Sequence, residues 1–363
     1  MVDRTNRELS SEYRRRAKNP TVLQASMPYA HVPISFLIHP EQDLQFDVHC
    51  SLARKAPKPD LAQASERSDV LPFSWDAYAR WRGRELRKSY YGPGLNWGAK
   101  VRLADLPQMS GVKTRAGLRM RCAKVKYEDY LLAEGSVHLE VPGQLPYLRE
   151  FFEGSAWTLR QVDLPSGEDA AAYYSMMVGV STLVTTADGF IVLQRRSDRV
   201  QAARGGVGCS SGGAADWGDL RWWRRGLFRR SLRTTMYRET REELGLGSRS
   251  FYKDRWPFLG AAFNLRYGRD LNFYAHLKYK KDRAALERQF HQRHLYRFGA
   301  GKDRWEIAHL VFLDPLDVVE GGELTQRAES LLGDARHARG AIYALEASGR
   351  LAELRQLRAP GRR

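Results

Sequence analysis

The stretch 232–247, L-R-T-T-M-Y-R-E-T-R-E-E-L-G-L-G, constrains the fold of this chain more than any other. Leu232, Met236, Thr240 and Leu244 recur at every fourth position, the spacing of one stripe on an α-helix that packs against a sheet. Beside the stripe lie Glu239, Glu242 and Glu243, at offsets of zero, three and four, which are neighbours on one helix surface. Carboxylates so close repel one another. A hard divalent cation with oxygen ligands removes the repulsion, and Mg²⁺ is the usual choice where the other ligands are waters and phosphates. The alternative for the same spacing is a solvated, Glu-rich helix face. Gly245 and Gly247 then supply residues at which helices commonly end.

Upstream, residues 211–219 read S-G-G-A-A-D-W-G-D. Gly212, Gly213 and Gly218 predict a tight loop with positive φ and close approach of backbone to phosphate. Between this segment and the carboxylates lies a basic, aromatic run at 221–230, R-W-W-R-R-G-L-F-R-R. Its arginines could grip a phosphate and its aromatics stack on a base or sugar. The other reading is an amphipathic segment that packs Trp222, Trp223 and Phe228 on the N-terminal half.

The string R-E-T-x-E-E-L-G-L resembles the second half of the Nudix box, with Arg238, Glu239, Glu242, Glu243, Gly245 and Leu246 in matching positions. The 211–219 segment resembles the start of the box, with Gly213 as its glycine and Asp219 in place of its glutamate. Thr240 stands where the pattern has an aliphatic residue, and eleven extra residues separate Asp219 from Arg238. The resemblance implies an α/β/α sandwich with a mixed sheet. It further implies Mg²⁺, or Mn²⁺, held by Glu239, Glu242 and Glu243. Arg238 is then a structural partner of a box glutamate, and the Gly213 carbonyl a further ligand. Glu242, Glu243 and Glu306 are the catalytic candidates, with Glu306 as an extra ligand or base. The competing reading of Glu306 is an exposed strand-end carboxylate.

Along its length the chain is similar to the animal UDP-glucose and UDP-galactose hydrolases of that superfamily. The matching segments are 10–16, 100–103, 127–131 and 195–197, together with an N-terminal domain and an interrupted box. That similarity implies a nucleotide-sugar substrate cleaved to UMP and a hexose 1-phosphate, with Arg195, Arg196 and Asn272 bordering the cleft. ADP-ribose is the competing substrate. Two other classes stay open: a nucleotide-sensing protein without turnover, and an enzyme acting on RNA ends.

At 363 residues the chain is long enough for two cores. The polar run 165–169 divides an α+β domain at 1–170, whose first thirty residues read as a loose arm, from a Nudix-like α/β domain at 171–363. In the first, strands are expected at 32–38, 45–50, 99–103, 117–123 and 157–162, and helices at 74–91, 127–134 and 147–152. In the second, strands at 177–185 and 190–194 flank an Asp188-Gly189 turn. Further strands are expected at 257–264, 271–279 and 305–313, and helices at 283–291, 324–332 and 335–347.

A net charge of +17 reads either as general solubility charge or as attraction to anions, whether phosphorylated metabolites, nucleic acid or an acidic surface, without choosing between them. No RNA-recognition, helix-turn-helix or zinc-finger signature favours nucleic acid. His291 and His294 read as solvated residues of a polar helix end. No apolar run is long enough to span a membrane, and the polar, basic N-terminus does not read as a secretory signal. Cys50, Cys122 and Cys209 fit neither a disulfide framework nor a zinc site and suit a reducing cytoplasm.

Overall fold

The computed structural model describes residues 34–38, 47–52, 99–104, 108–112, 115–126, 177–197, 205–220, 228–254, 257–264, 270–296, 307–333 and 335–359. The expected N-terminal arm, the helices at 74–91, 127–134 and 147–152, and the strand at 157–162 lie outside them.

The N-terminal half contributes β1 (Ile34–Ile38), β2 (Asp47–Leu52), β3 (Ala99–Leu103), β4 (Gln108–Val112) and β5 (Arg115–Lys126). Strands β2, β3 and β4 all pair with β5 in one small sheet. β3 buries Val101 and Leu103, and β5 buries Leu118, Met120, Cys122 and Val125. The second half supplies β6 (Val178–Thr185), β7 (Ile191–Arg196), β8 (Val207–Gly208), β9 (Ser211–Ala214) and α1 (Phe228–Glu243). Then come β10 (Phe258–Asn264), β11 (Leu271–Lys278), α2 (Arg283–Tyr296) and β12 (Ile307–Leu313). A short hairpin, β13 (Val319–Glu320) and β14 (Glu323–Leu324), leads to α3 (Gln326–Leu332), α4 (Arg336–Ala347) and α5 (Arg350–Arg358).

The larger sheet runs β1-β10-β11-β6-β7-β12, with β8 beside β7 and β9 beside β6. It is mixed: β6 and β11 are parallel, whereas the other pairs in this sheet are antiparallel. β6, V-G-V-S-T-L-V-T, is buried at every position, as a central strand covered on both faces must be. The expected Asp188-Gly189 turn is present, with Gly189 at φ 90° and its N–H donating to the Thr186 carbonyl at 2.9 Å. β1 adds to the outer edge of this sheet, which therefore takes one strand from before the boundary expected at 165–169.

Strand alternation sorts the two faces. Ser211 and Gly213 share a face with Val180 and Thr182, their cross-strand partners, and α1 packs on that face. On the other face Leu183, Leu193, Cys209 and Tyr274 join Ala338, Ala341, Ile342 and Leu345 of α4 in one buried cluster. The protein is thus a mixed α/β structure, with α1 and α4 on opposite sides of the sheet. α5, not expected from the sequence, is fastened by Arg358. Its guanidinium reaches Asp314 at 2.6 Å and stacks over the Phe190 ring at 4.0 Å from the centroid.

Candidate active site

The stripe that predicts α1 is the face it buries: Leu232, Met236, Thr240 and Leu244 are all at most 1 % exposed. Thr240, the polar member, stays satisfied because its hydroxyl donates to the Met236 carbonyl at 2.7 Å and lies 2.9 Å from Ser211 Oγ. Beyond Leu244 the chain turns away at Gly245, with φ 69°. Gly247 has φ −80° and extended geometry, so Gly245 alone of the two expected glycines uses the left-handed region.

The expectation of a positive-φ loop at Gly212, Gly213 and Gly218 is corrected. None of the three has positive φ, and Gly212 and Gly213 belong to strand β9. What Gly213 supplies is space. A Cβ built there would sit 2.5 Å from the Glu239 carboxyl carbon and 2.7 Å from Oε2, so the carboxylate occupies the volume a side chain would fill. Gly212 contributes its N–H, which donates to Glu243 Oε2 at 2.9 Å.

Arg238 is the centre of the cluster. Nη1 donates to Glu242 Oε2 at 2.8 Å; Nη2 lies 2.8 Å from Glu239 Oε1 and donates to the Ala214 carbonyl at 3.2 Å. Nε and Nη2 both reach Asp219 Oδ2, at 3.2 and 3.1 Å, and Nη2 lies 3.4 Å from Asp216 Oδ2. A planar guanidinium with fixed donors suits such a fork, which an ammonium could not fill. Burial opposes the Arg238 charge, but Glu239, Asp219, Asp216 and Glu242 outweigh it and hold its pKa above the ordinary arginine value. Asp219, 6 % exposed, also accepts from Thr235 Oγ1 at 2.9 Å and from the Asp216 N–H at 3.2 Å. All of these bonds fall on Oδ2, which thereby fixes Arg238.

Burial pushes the Glu239 carboxyl up from its ordinary range. Arg238 and Lys100 pull it down, while Glu242 and Asp216 add to the rise. A buried carboxylate among other carboxylates is an environment that a cation would relieve. The donors are hard oxygens on adjacent turns of one helix, the type that suits Mg²⁺ or Mn²⁺. As placed, however, no three His, Cys, Asp or Glu side chains among the described residues converge to hold a metal ion. Glu239 and Glu242 are turned onto Arg238, and Glu243 onto Gly212 and Gln194 Nε2, the latter at 3.4 Å. Rotation of these side chains is what a bound cation would require.

Three further residues expected at the cleft are divided by the sheet. Arg196 shares the α1 face with Gln194, whereas Arg195 and Asn272 alternate onto the α4 face. Arg195 Nη1 donates to the Gly205 carbonyl at 2.7 Å. Asn272 is 5 % exposed, and a Cβ on Gly179 would meet its Oδ1 at 3.1 Å. Glu306 lies outside the described residues, as do positions 221–227 of the basic aromatic run. His291 is exposed, as expected. Cys122 and Cys209 are buried, and burial pushes the Cys209 thiol up to about 12.

Sequence reasoning missed Lys100, Asp216, Gln194 and Ser211 as members of this neighbourhood. Asp216 and Ser211 lie inside the segment already singled out, and Gln194 is two residues beyond Val192, on the same face of β7. Lys100 carries no local signal, since only the meeting of the two sheets brings it there.

No protein-family model matches the chain, and no curated protein is significantly similar to it. Among solved structures, the crystal structure of DR0079 from Deinococcus radiodurans is 15 % identical. The match covers 47 % of this chain and 82 % of that one, with a TM-score of 0.29. Superposition at that level establishes neither fold nor function. Among the described residues, no helix is long and apolar enough to cross a membrane.

Proposed function

We propose that the protein is a Nudix-type hydrolase, an α/β/α sandwich that uses Mg²⁺ to cleave the diphosphate of a nucleoside diphosphate derivative. The observation that carries this reading is the fit of the Glu239 carboxylate into the space left by Gly213, with Arg238 gripping Glu239 and Glu242 together. A solvated Glu-rich face, the plain alternative, needs neither a missing Cβ opposite its carboxylate nor a buried arginine.

Within this reading Glu239, Glu242 and Glu243 hold the cation, with Mn²⁺ as a substitute. The chemistry such an ion supplies is neutralisation of the diphosphate oxygens and activation of the attacking water. The chain's own residues supply placement. Arg238 gathers Glu239 and Glu242, Asp219 holds Arg238, and the Gly212 N–H holds Glu243, so that the three carboxylates stand side by side and would rotate from these partners toward the ion. Glu242 and Glu243, the more accessible pair, are the catalytic carboxylates, with Glu306 as the additional base.

For the substrate we propose UDP-glucose or UDP-galactose, cleaved to UMP and hexose 1-phosphate. This part rests on the resemblance of the segments at 10–16, 100–103, 127–131 and 195–197. Of the expected substrate contacts, Arg196 lies on the carboxylate face of the sheet. The test is purified protein with Mg²⁺ and a panel of UDP-glucose, ADP-ribose, NADH, a dinucleoside polyphosphate and capped RNA, with products separated by chromatography. Release of UMP from UDP-glucose as the preferred reaction is expected. Preferred release of AMP from ADP-ribose would overturn the sugar assignment, and cleavage of capped RNA alone would move the protein to RNA-end processing.

A further inference from the structure

The small N-terminal sheet reaches the carboxylate cluster directly. The Val101 N–H of β3 donates to the Ala215 carbonyl at 2.9 Å, and the Ala215 N–H donates to the Val178 carbonyl of β6 at 2.8 Å. Isolated bridges link Lys100 with Asp216 and Arg102 with Met177. The segment after β9 is therefore clamped between the two sheets. It follows directly on the Ala214 carbonyl and carries Asp219, both bound to Arg238, and Asp216, 3.4 Å from the same guanidinium. β3 cannot slide, because Val101, Arg102 and Leu103 are all at most 1 % exposed.

At this junction Lys100 Nζ forms an ion pair with Asp216 Oδ1 while Asp216 Oδ2 faces Arg238. Both partners are largely shielded, with 20 % and 33 % of their side chains exposed. Asp216, Asp219, Glu239 and Glu242 all draw on the single charge of Arg238. Lys100 brings a second cation from the other sheet. With Lys100 in place, Asp216 is occupied; without it, Asp216 competes for the guanidinium that holds Glu239 and Glu242.

We propose that Lys100 is a positioning residue of the active centre, by which the N-terminal sheet fixes Asp216 and so keeps Arg238 directed at Glu239 and Glu242. The proposal rests on the hydrolase reading above, and it makes the N-terminal sheet a component of the site.

The experiment uses the full chain and the variants Lys100→Met, Lys100→Arg, Asp216→Asn and the Lys100→Met/Asp216→Asn double. Turnover of UDP-glucose and Mn²⁺ affinity by titration calorimetry are measured side by side. Lys100→Met is expected to lower kcat about tenfold with little change in KM, and Asp216→Asn to lower it by less, since that change removes the competing carboxylate itself. Lys100→Arg restores most of it, and the double loses less than Lys100→Met, because the amide at 216 no longer competes for Arg238. Mn²⁺ affinity moves in opposite directions: about fivefold tighter in Lys100→Met, about fivefold weaker in Asp216→Asn, and near the unaltered value in the double, following the charge beside the ion. A residue that merely stabilises the sheet would not give opposed shifts. Unchanged kcat and Mn²⁺ affinity in Lys100→Met, with an active parent protein, would overturn the proposal alone. A parent protein that neither binds Mn²⁺ nor hydrolyses any diphosphate would remove the hydrolase reading and the proposal with it.

Discussion

Replacing Gly213 by alanine adds one methyl group at the point where β9 meets α1. Its backbone is not in the left-handed region, so the substitution causes no φ strain and its effect is steric. The new Cβ would lie 2.5 Å from the Glu239 carboxyl carbon, whereas ordinary van der Waals contact begins at 3.4 Å. Relief requires the carboxylate to withdraw by roughly 1 Å, and misplacement on that scale costs about a hundredfold in a positioned site. Withdrawal also breaks the 2.8 Å contact with Arg238 Nη2. Forcing a methyl into so packed a place costs about 1–3 kcal/mol of stability. Gly218→Ala is the control, since nothing lies within 4 Å of a Cβ there. Turnover of UDP-glucose with Mg²⁺ and urea unfolding would be measured for both. Gly213→Ala with unaltered turnover, and no less stable than Gly218→Ala, would refute the steric argument.

Two predictions concern stability. Thr240→Val should cost about 1 kcal/mol by stranding the buried Ser211 hydroxyl, whereas Thr240→Val with Ser211→Ala should recover most of that loss, because both partners are then apolar. Urea unfolding of the two singles and the double checks this. His276 is buried, 2.8 Å from Thr185 Oγ1 and 3.3 Å from Arg350 Nη1; burial first, then Arg350 and Lys278, hold its pKa well below the ordinary value. The folded state keeps it neutral while the unfolded chain takes up a proton below about pH 6.5, so stability falls with pH from there by up to ~1.4 kcal/mol per unit. Unfolding at pH 7.5, 6.5 and 5.5 should show this slope reduced in His276→Gln.

Strands β1, β6, β7, β10, β11 and β12 of the larger sheet were legible because each carries a dense apolar run between turn residues; those at 257–264 and 271–279 begin and end within two residues of β10 and β11. α1 was legible from its four-residue repeat. α5 was missed because its polar and charged residues hide a short apolar face, Leu351 and Leu354. β9 was read as a loop, since glycines signal positive φ locally, whereas here they leave room for a helix that arrives later in sequence. At the site, the carboxylates and Arg238 were readable from spacing on one helix. Lys100 was not, because its place depends on a contact across 116 residues between two sheets. Arg195 and Arg196 divide by strand alternation alone, but which of them takes the carboxylate face, and where Asn272 falls, follows from register, which side-chain chemistry does not reveal.

The most direct test of the central claim is Mg²⁺-dependent turnover of UDP-glucose by the full chain carrying Glu242→Gln or Glu243→Gln, with folding checked by circular dichroism. Both glutamates lie at the end of α1 beside Arg238 and Gly212, and their amides keep the shape while removing the charge. The account predicts folded variants whose turnover falls by orders of magnitude at saturating Mg²⁺. Folded variants that hydrolyse the substrate as fast as the unaltered protein would contradict it.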